Sequence, residues 1–228
     1  MSDETPAPRP LEPTPAEPTP AGPTPAGPTS GGPSSGGPPP LPPPERRWDL
    51  LTQAALLVMV VTLLSFGRTW WCKCGGLSPW TGDALSQHTS QHLLDPYSLT
   101  HVLHGVGFYA LLWLTLGGRA GPRLRWALAL CVEAGWEVLE NTNWVIERYR
   151  AGTISLDYYG DSVLNSLSDV LCCALGYLLA RTLPWKASLA FVLAVELLLL
   201  VWIRDNLTLN VVMLLMPLPG VQAWQAGG

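Results

Sequence analysis

The sequence has no block of lysine and arginine, little charge of either sign and few cysteines. Its 13 basic and 17 acidic residues give a formal net charge of −4, so no nucleic-acid partner is predicted. The "CKC" of Cys72 and Cys74 is spaced too closely for an ordinary zinc knuckle, and no second cysteine pair accompanies it. Cys131, Cys172 and Cys173 fall in apolar segments, where we expect them to pack as small apolar side chains.

Residues 1–47 almost completely lack large apolar side chains. They contain 17 of the 23 prolines and the degenerate repeat "EPTPAEPTPAGPTPAGPTSGGP". Proline at every second or third position excludes helix and favours extended polyproline II segments. Because this part cannot bury a core, we predict a disordered tail. The first apolar run begins only after Arg47, which is too late for a secretory signal peptide.

Residues 48–228 contain all 11 tryptophans and several long apolar runs, so they are predicted to form a helical membrane domain. Five segments approach the length of about 20 residues with which a helix crosses a bilayer. A sixth run, "LTLNVVMLLM" (207–216), is too short to cross and is predicted to be interfacial or re-entrant. The expected fold class is therefore all-α, a polytopic bundle of about five spans behind a proline-rich tail. The predicted spans are roughly 49–66, 99–117, 124–144, 162–182 and 187–203.

Basic residues cluster before the first predicted span and in alternate connections. The positive-inside rule places these clusters in the cytoplasm, so the N terminus is predicted to be cytoplasmic. The connections 67–98 and 145–161 then face outward, and membrane lipids are the expected partners. The oligomeric state is left open. The clusters consist of Arg46 and Arg47, then Arg119, Arg123 and Arg125, then Arg181 and Lys186.

Four of the predicted spans carry ionisable or amide side chains at spacings of three or four residues, which places each set on one helix face. With a rise of about 1.5 Å per residue, most of these side chains fall in layers of matching depth in the outer half of the membrane. Glu133 and Glu196 fall near the bilayer centre. His104, Glu137 and Asp169 form the next layer outward, and His101, Glu140 and Asn165 the one beyond it. A charge at the centre of a span costs about 2.5–3.5 kcal/mol on insertion scales, so these faces should point inward and share one pocket. The sets are His101 and His104; Glu133, Glu137, Glu140 and Asn141; Asp161, Asn165 and Asp169; and Glu196.

The predicted pocket supports three interpretations. The sequence favours first a structural or accessory membrane protein, in which polar groups bond across helices and fix the packing. The alternative is a metal-dependent or acid–base membrane enzyme acting on a lipid or lipid-linked substrate. A second alternative is a proton or small-solute transporter, which the mid-membrane acids Glu133 and Glu196 favour and the lack of an internal repeat opposes. The excess of acids over histidines indicates a cation, protons or water in the pocket.

In the enzyme interpretation the candidate cofactor is a divalent metal, which imidazole and carboxylate ligands suit together. Arg148 and Arg150 follow the third predicted span and are candidates for binding a phosphate headgroup. The candidate metal ligands are His101, His104, Glu137 and Asp169. The candidate catalytic residues are His101, His104, Glu137, Glu140, Asp161, Asn165 and Asp169.

Three further side chains have simpler expected roles. Ser162 precedes an apolar helical run and is predicted to cap that helix. His88 and His92 lie in the connection before the second predicted span. We expect them to be solvated loop histidines, with a contribution to the pocket as the alternative.

Several stretches of the membrane part form a specific pattern over about residues 48–225. They are "CKCG", "SQHLLDPYSLTHVLHGVGFYALLW", "EAGWEVLEN", "ERYR", "DYYGDSVLNSLSD" and "WIRDNLTLNVVMLLMPLPG". Their order resembles a family of uncharacterised bacterial multi-pass inner-membrane proteins, found mainly in alphaproteobacteria and known as a domain of unknown function. The resemblance implies location in the cell inner membrane and no particular activity. A pattern-level likeness to VanZ-like membrane proteins, with His, then Glu, then an Asp–Asn helix, implies no reaction either.

Overall fold

A computed structural model describes residues 46–152 and 158–227, and the regular structure in these residues is helical apart from one isolated bridge between Trp80 and Leu94. Most of the predicted tail (1–45) and the stretch 153–157 lie outside the described residues. Arg46 and Arg47, which the prediction assigned to the tail, form the start of the first helix. The helices are α1 (Arg46–Ser65), α2 (Ser98–Leu116), α3 (Pro122–Glu140), α4 (Asn143–Gly152), α5 (Val163–Thr182), α6 (Trp185–Ile203), α7 (Leu207–Leu215) and α8 (Pro219–Gln225), with a 3-10 turn at Gly117–Arg119.

Four helices are long and apolar enough to cross a membrane: α1, α2 with its following turn, α5 and α6. They correspond to four of the five predicted spans, and they confirm the all-α class. The remaining predicted span, 124–144, is not one continuous helix, because α3 ends at Glu140 and α4 begins at Asn143. Between them Asn141 is fully buried, and its side chain donates to the Glu137 carbonyl oxygen at 3.0 Å. The chain therefore turns at the place where the prediction extended the helix.

Helices α2 and α5 cross in direct backbone contact at Gly105 and Gly176. A Cβ atom added at Gly105 would lie 1.9 Å from the Cys173 carbonyl oxygen, and one added at Gly176 would lie 1.8 Å from the Val102 carbonyl oxygen. Only glycine fits at both positions, as at other close crossings of membrane helices. His101 lies about one turn before Gly105, and Asp169 about two turns before Gly176, so the crossing fixes their separation.

Two apolar clusters hold the other long helices to this pair. Met59 and Leu63 of α1 are fully buried and pack in one cluster with residues of α3 and α5, including Leu130 and Val170. Leu199 of α6 is buried in the second cluster, beside residues of α2. The crossing of α2 and α5 is therefore covered on two sides, while α3 packs against both α1 and α5.

Helix α7 begins beside α6, because the Glu196 carboxylate accepts hydrogen bonds from the first backbone amides of α7. The Leu207 amide lies 3.0 Å and the Thr208 amide 3.2 Å from its oxygens. Asn206 caps the same helix through a side-chain oxygen that accepts from the Leu209 amide. The run 207–216 thus contains a helix of nine residues, too short to cross a bilayer, as predicted.

The connection between α1 and α2 (66–97) covers the N-terminal end of α5. The Val163 amide donates to the Thr69 carbonyl oxygen at 2.8 Å, and the Ser162 amide donates to the Ser90 carbonyl oxygen at 2.9 Å. The Gln91 side-chain amide donates to the Gly160 carbonyl oxygen at 2.6 Å. Backbone amides at a helix start have no partner within the helix, so these bonds satisfy groups that would otherwise be unpaired.

Candidate functional site

A cavity of about 320 Å³ lies beside the crossing of α2 and α5. His101 and His104 of α2, Glu140 of α3 and Asp169 of α5 line its polar part, together with Asp161. The histidines and acids on helices that line the cavity come from α2, α3 and α5, so three of the four helices expected to share a polar pocket meet here. Phe108, Val132, Trp136, Leu207 and Val211 form its apolar part.

Glu133 holds both histidines of α2. Its carboxylate lies 2.6 Å from His101 Nδ1 and 3.1 Å from His104 Nδ1. His101 also faces the other acids, with Nδ1 3.4 Å from a Glu137 oxygen and Nε2 4.0 Å from an Asp169 oxygen. All of these side chains except His104 are buried. The imidazole of His101 therefore joins acids from α3 and α5 at one point.

Asp161 lies just before α5 in a well-bonded position. The Asn141 side-chain amide donates to one of its oxygens at 2.6 Å, and the Tyr158 hydroxyl donates to the other at 3.0 Å. Burial raises the pKa of Asp161 to about 6, and these hydrogen bonds oppose part of that rise. Asp161 also approaches Glu137 and Glu140, with one ligand atom of each residue within 4.8 Å of the others. This carboxyl group can exchange a proton near neutral pH.

Glu137 and Asp169 differ from Asp161 because they carry oxygens without a hydrogen-bond donor. Among the described residues, both carboxylate oxygens of Glu137 and Oδ1 of Asp169 are buried and lack such a partner. Glu137 is only 1% exposed, so water in the surroundings does not reach it freely. An unsatisfied buried acceptor costs about 1–3 kcal/mol, and more if it is charged. These oxygens are therefore suited to bind a proton or a cation.

Around the cavity, the potential metal ligands among the described residues form three overlapping groups. One is His101, His104 and Glu133; the second is His101, Glu137 and Asp169; the third is Glu137, Glu140 and Asp161. Within each group, one ligand atom per residue lies within 4.8 Å of the others. The predicted ligand set of His101, His104, Glu137 and Asp169 is thus divided between two groups that share His101.

The depth estimate paired the side chains incorrectly. It placed His104 level with Glu137 and Asp169, whereas His101 is the histidine that contacts them. It also left Glu133 at the bilayer centre, although Glu133 binds both histidines. A count of residues along each helix ignores how the helices cross, and the crossing at Gly105 sets which turns face each other. The four-residue spacing of Glu133 and Glu137 was the signal that both belong to one face.

Two other predicted contributors have separate structural contacts. Glu196 of α6 caps α7, so the fourth helix that was expected to supply an acid uses it elsewhere. Asn165 is buried. Its backbone amide donates to the Ser162 side-chain oxygen at 3.1 Å, which confirms the predicted cap. Its side-chain amide lies 3.4 Å from the Leu93 carbonyl oxygen of the connection. Asn165 thus ties α5 to the segment that covers its start.

The two arginines predicted to bind a headgroup lie on α4 in different surroundings. The Arg148 guanidinium donates to the Leu214 and Leu215 carbonyl oxygens at 2.7 and 3.0 Å, which satisfies the end of α7. Arg150 is exposed in the last turn of α4. Headgroup binding stays a prediction for both residues. Tyr149, which lies between them, lines the cavity and was missed because it belongs to no stripe of ionisable residues.

Comparison with known proteins agrees with the resemblance seen in the sequence. A UPF0314 protein of Paracoccus denitrificans is 51% identical over 180 residues, which cover 76% of this chain and 91% of that relative. UPF0314 proteins of Rhizobium meliloti and Brucella anthropi are 47% and 44% identical, over 79% and 81% of this chain and 91% and 95% of their own lengths. No solved structure matches.

The family model that matches is described as "Protein of unknown function (DUF2585)" and covers residues 63–227. This region contains the whole cavity and excludes the proline-rich tail. The match covers well over half of the chain, and the relatives are alphaproteobacterial, as the sequence pattern predicted. The chain therefore belongs to the DUF2585 family, together with these UPF0314 proteins.

Proposed function

We propose that the protein is a membrane-embedded enzyme whose buried cavity binds one divalent cation and acts on the headgroup of a lipid or lipid-linked substrate. The proposal rests on one observation: the carboxylate of Glu137 is buried, and neither of its oxygens has a hydrogen-bond donor among the described residues. It lies beside Asp169, which has one such oxygen, and beside the shared imidazole of His101.

A purely structural role accounts less well for this arrangement. In a polar core that only fixes packing, the partners are balanced, because each unsatisfied buried group lowers stability. Asp161 satisfies that description, since Asn141 and Tyr158 donate to its two oxygens. Glu137 and Asp169 do not satisfy it. Their common position around His101 supports a site that is completed by a ligand.

The cation would be held by His101, Glu137 and Asp169, and it would supply Lewis-acid polarisation of a headgroup oxygen. Glu133 orients His101 through the 2.6 Å contact, in the way that outer carboxylates fix metal-binding imidazoles. Asp161 is placed to accept a proton from the attacking group, because its pKa of about 6 suits acid–base work near neutral pH. Glu140, beside Asp161 at the cavity wall, is the second group for moving that proton.

The apolar wall of the cavity supports an amphiphilic substrate. Val132 is 52% exposed and Val211 is 42% exposed, so this wall reaches the outer surface of the bundle. A volume of about 320 Å³ is at the lower end of small-molecule sites, which suits a headgroup and the first atoms of a chain. Arg150 is proposed as a further contact for a phosphate, at the rim formed by α4.

The proposed setting is the cell inner membrane with a cytoplasmic N terminus. Helix α1 then crosses outward, and the α1–α2 connection lies on the periplasmic side of this membrane. Thr89 and Ser90 of this connection line the cavity, so the site would open toward the outer leaflet. The substrate would be a lipid or lipid-linked molecule that is reached from that leaflet.

The first test is metal binding by the full chain in detergent. The wild-type protein should be stabilised by Mn²⁺, by about 2.7 kcal/mol when the free ion is at 100 times its dissociation constant. Glu137→Gln and Asp169→Asn should lose this stabilisation while the metal-free proteins stay folded. Glu147→Gln, which makes the same chemical change at an exposed position of α4, should respond to metal like the wild type.

The second test is turnover of lipid. Wild-type protein in vesicles of bacterial lipid extract should convert at least one lipid species, detected by mass spectrometry, and Glu137→Gln should not. Two results together would reject the proposal: no metal effect on the wild type, and large losses of stability in Glu137→Gln and Asp169→Asn. They would assign the cluster to helix packing.

A further inference from the structure

A separate group of potential metal ligands lies in the α1–α2 connection and uses none of the residues assigned to the cavity. It consists of Cys72, Cys74, His88 and His92, and one ligand atom from each lies within 4.8 Å of the other three. All four belong to the described residues, and both cysteines are free thiols. The partners of the cysteine pair are therefore two histidines and not the second pair of cysteines that an ordinary zinc knuckle has.

The separations match those around a tetrahedral metal. Cys72 Sγ lies 3.3 Å from His88 Nδ1, and Cys74 Sγ lies 3.8 Å from His92 Nε2. With Zn–S bonds near 2.3 Å and Zn–N bonds near 2.05 Å at tetrahedral angles, a sulfur and a nitrogen on one ion are about 3.6 Å apart. The observed distances lie on either side of that value. Four side chains from two separate stretches therefore already have nearly the spacing of a complete ligand shell.

The hydrogen bonds around the cluster leave its ligand atoms available to a cation. The Cys74 amide donates to Cys72 Sγ at 3.4 Å, and the Gly76 amide donates to Cys74 Sγ at 3.3 Å. Donors of this kind stabilise negative charge on sulfur, and the thiolate is the form that binds metal.

His92 is oriented in the way that metal-binding imidazoles are. Its Nδ1 contacts the Ser78 carbonyl oxygen, which can only accept a hydrogen bond, so Nδ1 carries the proton. In the neutral ring Nε2 then has a lone pair, and this atom is the one that faces Cys74. A backbone carbonyl bound to the other ring nitrogen is the usual outer partner of a metal-binding histidine.

We propose that Cys72, Cys74, His88 and His92 bind one Zn²⁺ ion in a structural site. Two cysteines and two histidines fill all four tetrahedral positions, so no position is open for a substrate. The H-x₃-H spacing of the histidines lies within the range for such sites, while C-x-C is one residue shorter than the usual cysteine pair. The ion would close the segment 72–92 into a loop of fixed shape.

That loop carries the residues that reach the start of α5. The Ser90 carbonyl oxygen accepts from the Ser162 amide, and Gln91 donates to the Gly160 carbonyl oxygen. Ser90 has a φ of 60°, a left-handed conformation that costs a non-glycine residue energy and needs surrounding structure to hold it. Zinc between His88 and His92 would fix both ends of this short stretch. The proposal does not depend on the function proposed for the cavity.

Cobalt spectroscopy separates this site from the cavity. The full chain, purified in detergent with reductant and without metal, should show a sulfur-to-cobalt charge-transfer band that corresponds to one Co²⁺ bound at this cluster. The cavity ligands are nitrogen and oxygen atoms, so cobalt in the cavity gives no such band. Cys72→Ser with Cys74→Ser should abolish the band, whereas Cys131→Ser, which changes a thiol in α3, should keep it.

Zinc content gives the second measurement. Protein purified without added metal should contain zinc, and this zinc should persist in Glu137→Gln and fall at least tenfold in His88→Asn with His92→Asn. Removal of the zinc by a chelator should lower the melting temperature of the wild type.

The proposal is overturned if wild-type protein gives no charge-transfer band, or if the band survives the double cysteine substitution. Recovery of Cys72 and Cys74 as a disulfide, in protein that lacks zinc, would overturn it as well. The wild-type spectrum decides the matter even if the substituted proteins do not fold. If the wild-type protein shows the charge-transfer band but is not stabilised by a metal ion in the cavity, the function proposed for the cavity is rejected and the zinc site is not.

Discussion

Gly105→Ala tests the backbone contact between α2 and α5 on which the cavity depends. The added methyl group would lie 1.9 Å from the Cys173 carbonyl oxygen and 2.6 Å from the Tyr177 backbone nitrogen. The shortest comfortable separation of a carbon and a carbonyl oxygen is about 3.3 Å. The two helices must therefore move apart by about 1.4 Å, because neither obstructing atom belongs to a side chain that can rotate away.

The expected loss of stability follows from that displacement. Overpacking a core usually costs about 1–3 kcal/mol, and here both obstructing atoms are backbone, so we expect a loss of about 3 kcal/mol or more. The same movement would carry His101 away from Asp169, so metal stabilisation of the cavity should disappear. Gly176→Ala should behave alike, because its methyl group would lie 1.8 Å from the Val102 carbonyl oxygen.

Gly107→Ala is the matched control on the same helix. A Cβ atom at Gly107 has no heavy atom within 4 Å among its surroundings. Replacing a helical glycine by alanine usually stabilises by about 0.5–1 kcal/mol, so this protein should be as stable as the wild type or slightly more stable. Unfolding in mixed micelles with increasing SDS measures all three proteins. A loss below about 0.5 kcal/mol in Gly105→Ala, the size of a neutral surface change, would refute the proposed close crossing.

Three further substitutions test other contacts. The folded pKa of Asp161, about 6, exceeds the ordinary 3.8, so the folded state binds more protons between these values and stability should fall as pH rises through that window. Asp161→Asn should remove this pH dependence of the free energy of unfolding, which amounts to about 3 kcal/mol across the window and is measured by thermal unfolding at several pH values. An unchanged pH dependence would contradict the raised pKa. Ser162→Ala removes the cap of α5 and should lower the free energy of unfolding by about 1 kcal/mol, as measured by SDS unfolding; a value unchanged from wild type would show that the cap contributes little. Glu196→Ala leaves the first amides of α7 without their acceptor, which should cost about 1–3 kcal/mol and speed proteolysis of the C-terminal segment; cleavage at the wild-type rate would count against this role.

The sequence predicts the helices and the faces that carry the site, because both depend on local spacing. His101, Glu137 and Asp169 were placed on inward faces from intervals of three and four residues, and the structure brings them together around one imidazole. Apolar length likewise predicted four of the long helices. These properties survive folding because each is set within a single helix.

The pairing between helices depends on geometry that the spacing does not contain. Depth along the chain placed His104 opposite Glu137, but the close crossing at Gly105 brings His101 there instead. Glu196 was assigned to the pocket because α6 alone gives no sign that the chain turns back after Ile203. The groups that meet across such a turn become known only when the helices are packed.

The metal-ligand cluster in the α1–α2 connection was missed for a related reason. Cys72 and Cys74 are separated from His88 and His92 by a segment without helical or strand periodicity. Nothing in the local pattern says that its two ends approach each other. In the structure, backbone bonds to Val163 and Ser162 fold this segment against α5 and bring the thiols to the imidazoles.

The bond between Glu196 and the start of α7 imposes an order on biosynthesis. The Leu207 amide pairs with a carboxylate that the ribosome makes 11 residues earlier, in the middle of the preceding helix. When α6 first enters the bilayer, that acid has no partner. The newly made segment is therefore least stable until Leu207 and Thr208 emerge from the ribosome and supply their amides. A chain that stops before residue 207 would keep an uncompensated acid in contact with lipid. Such truncated products should be recognised and degraded by membrane proteases, whereas a tag added beyond Gln225 should be tolerated.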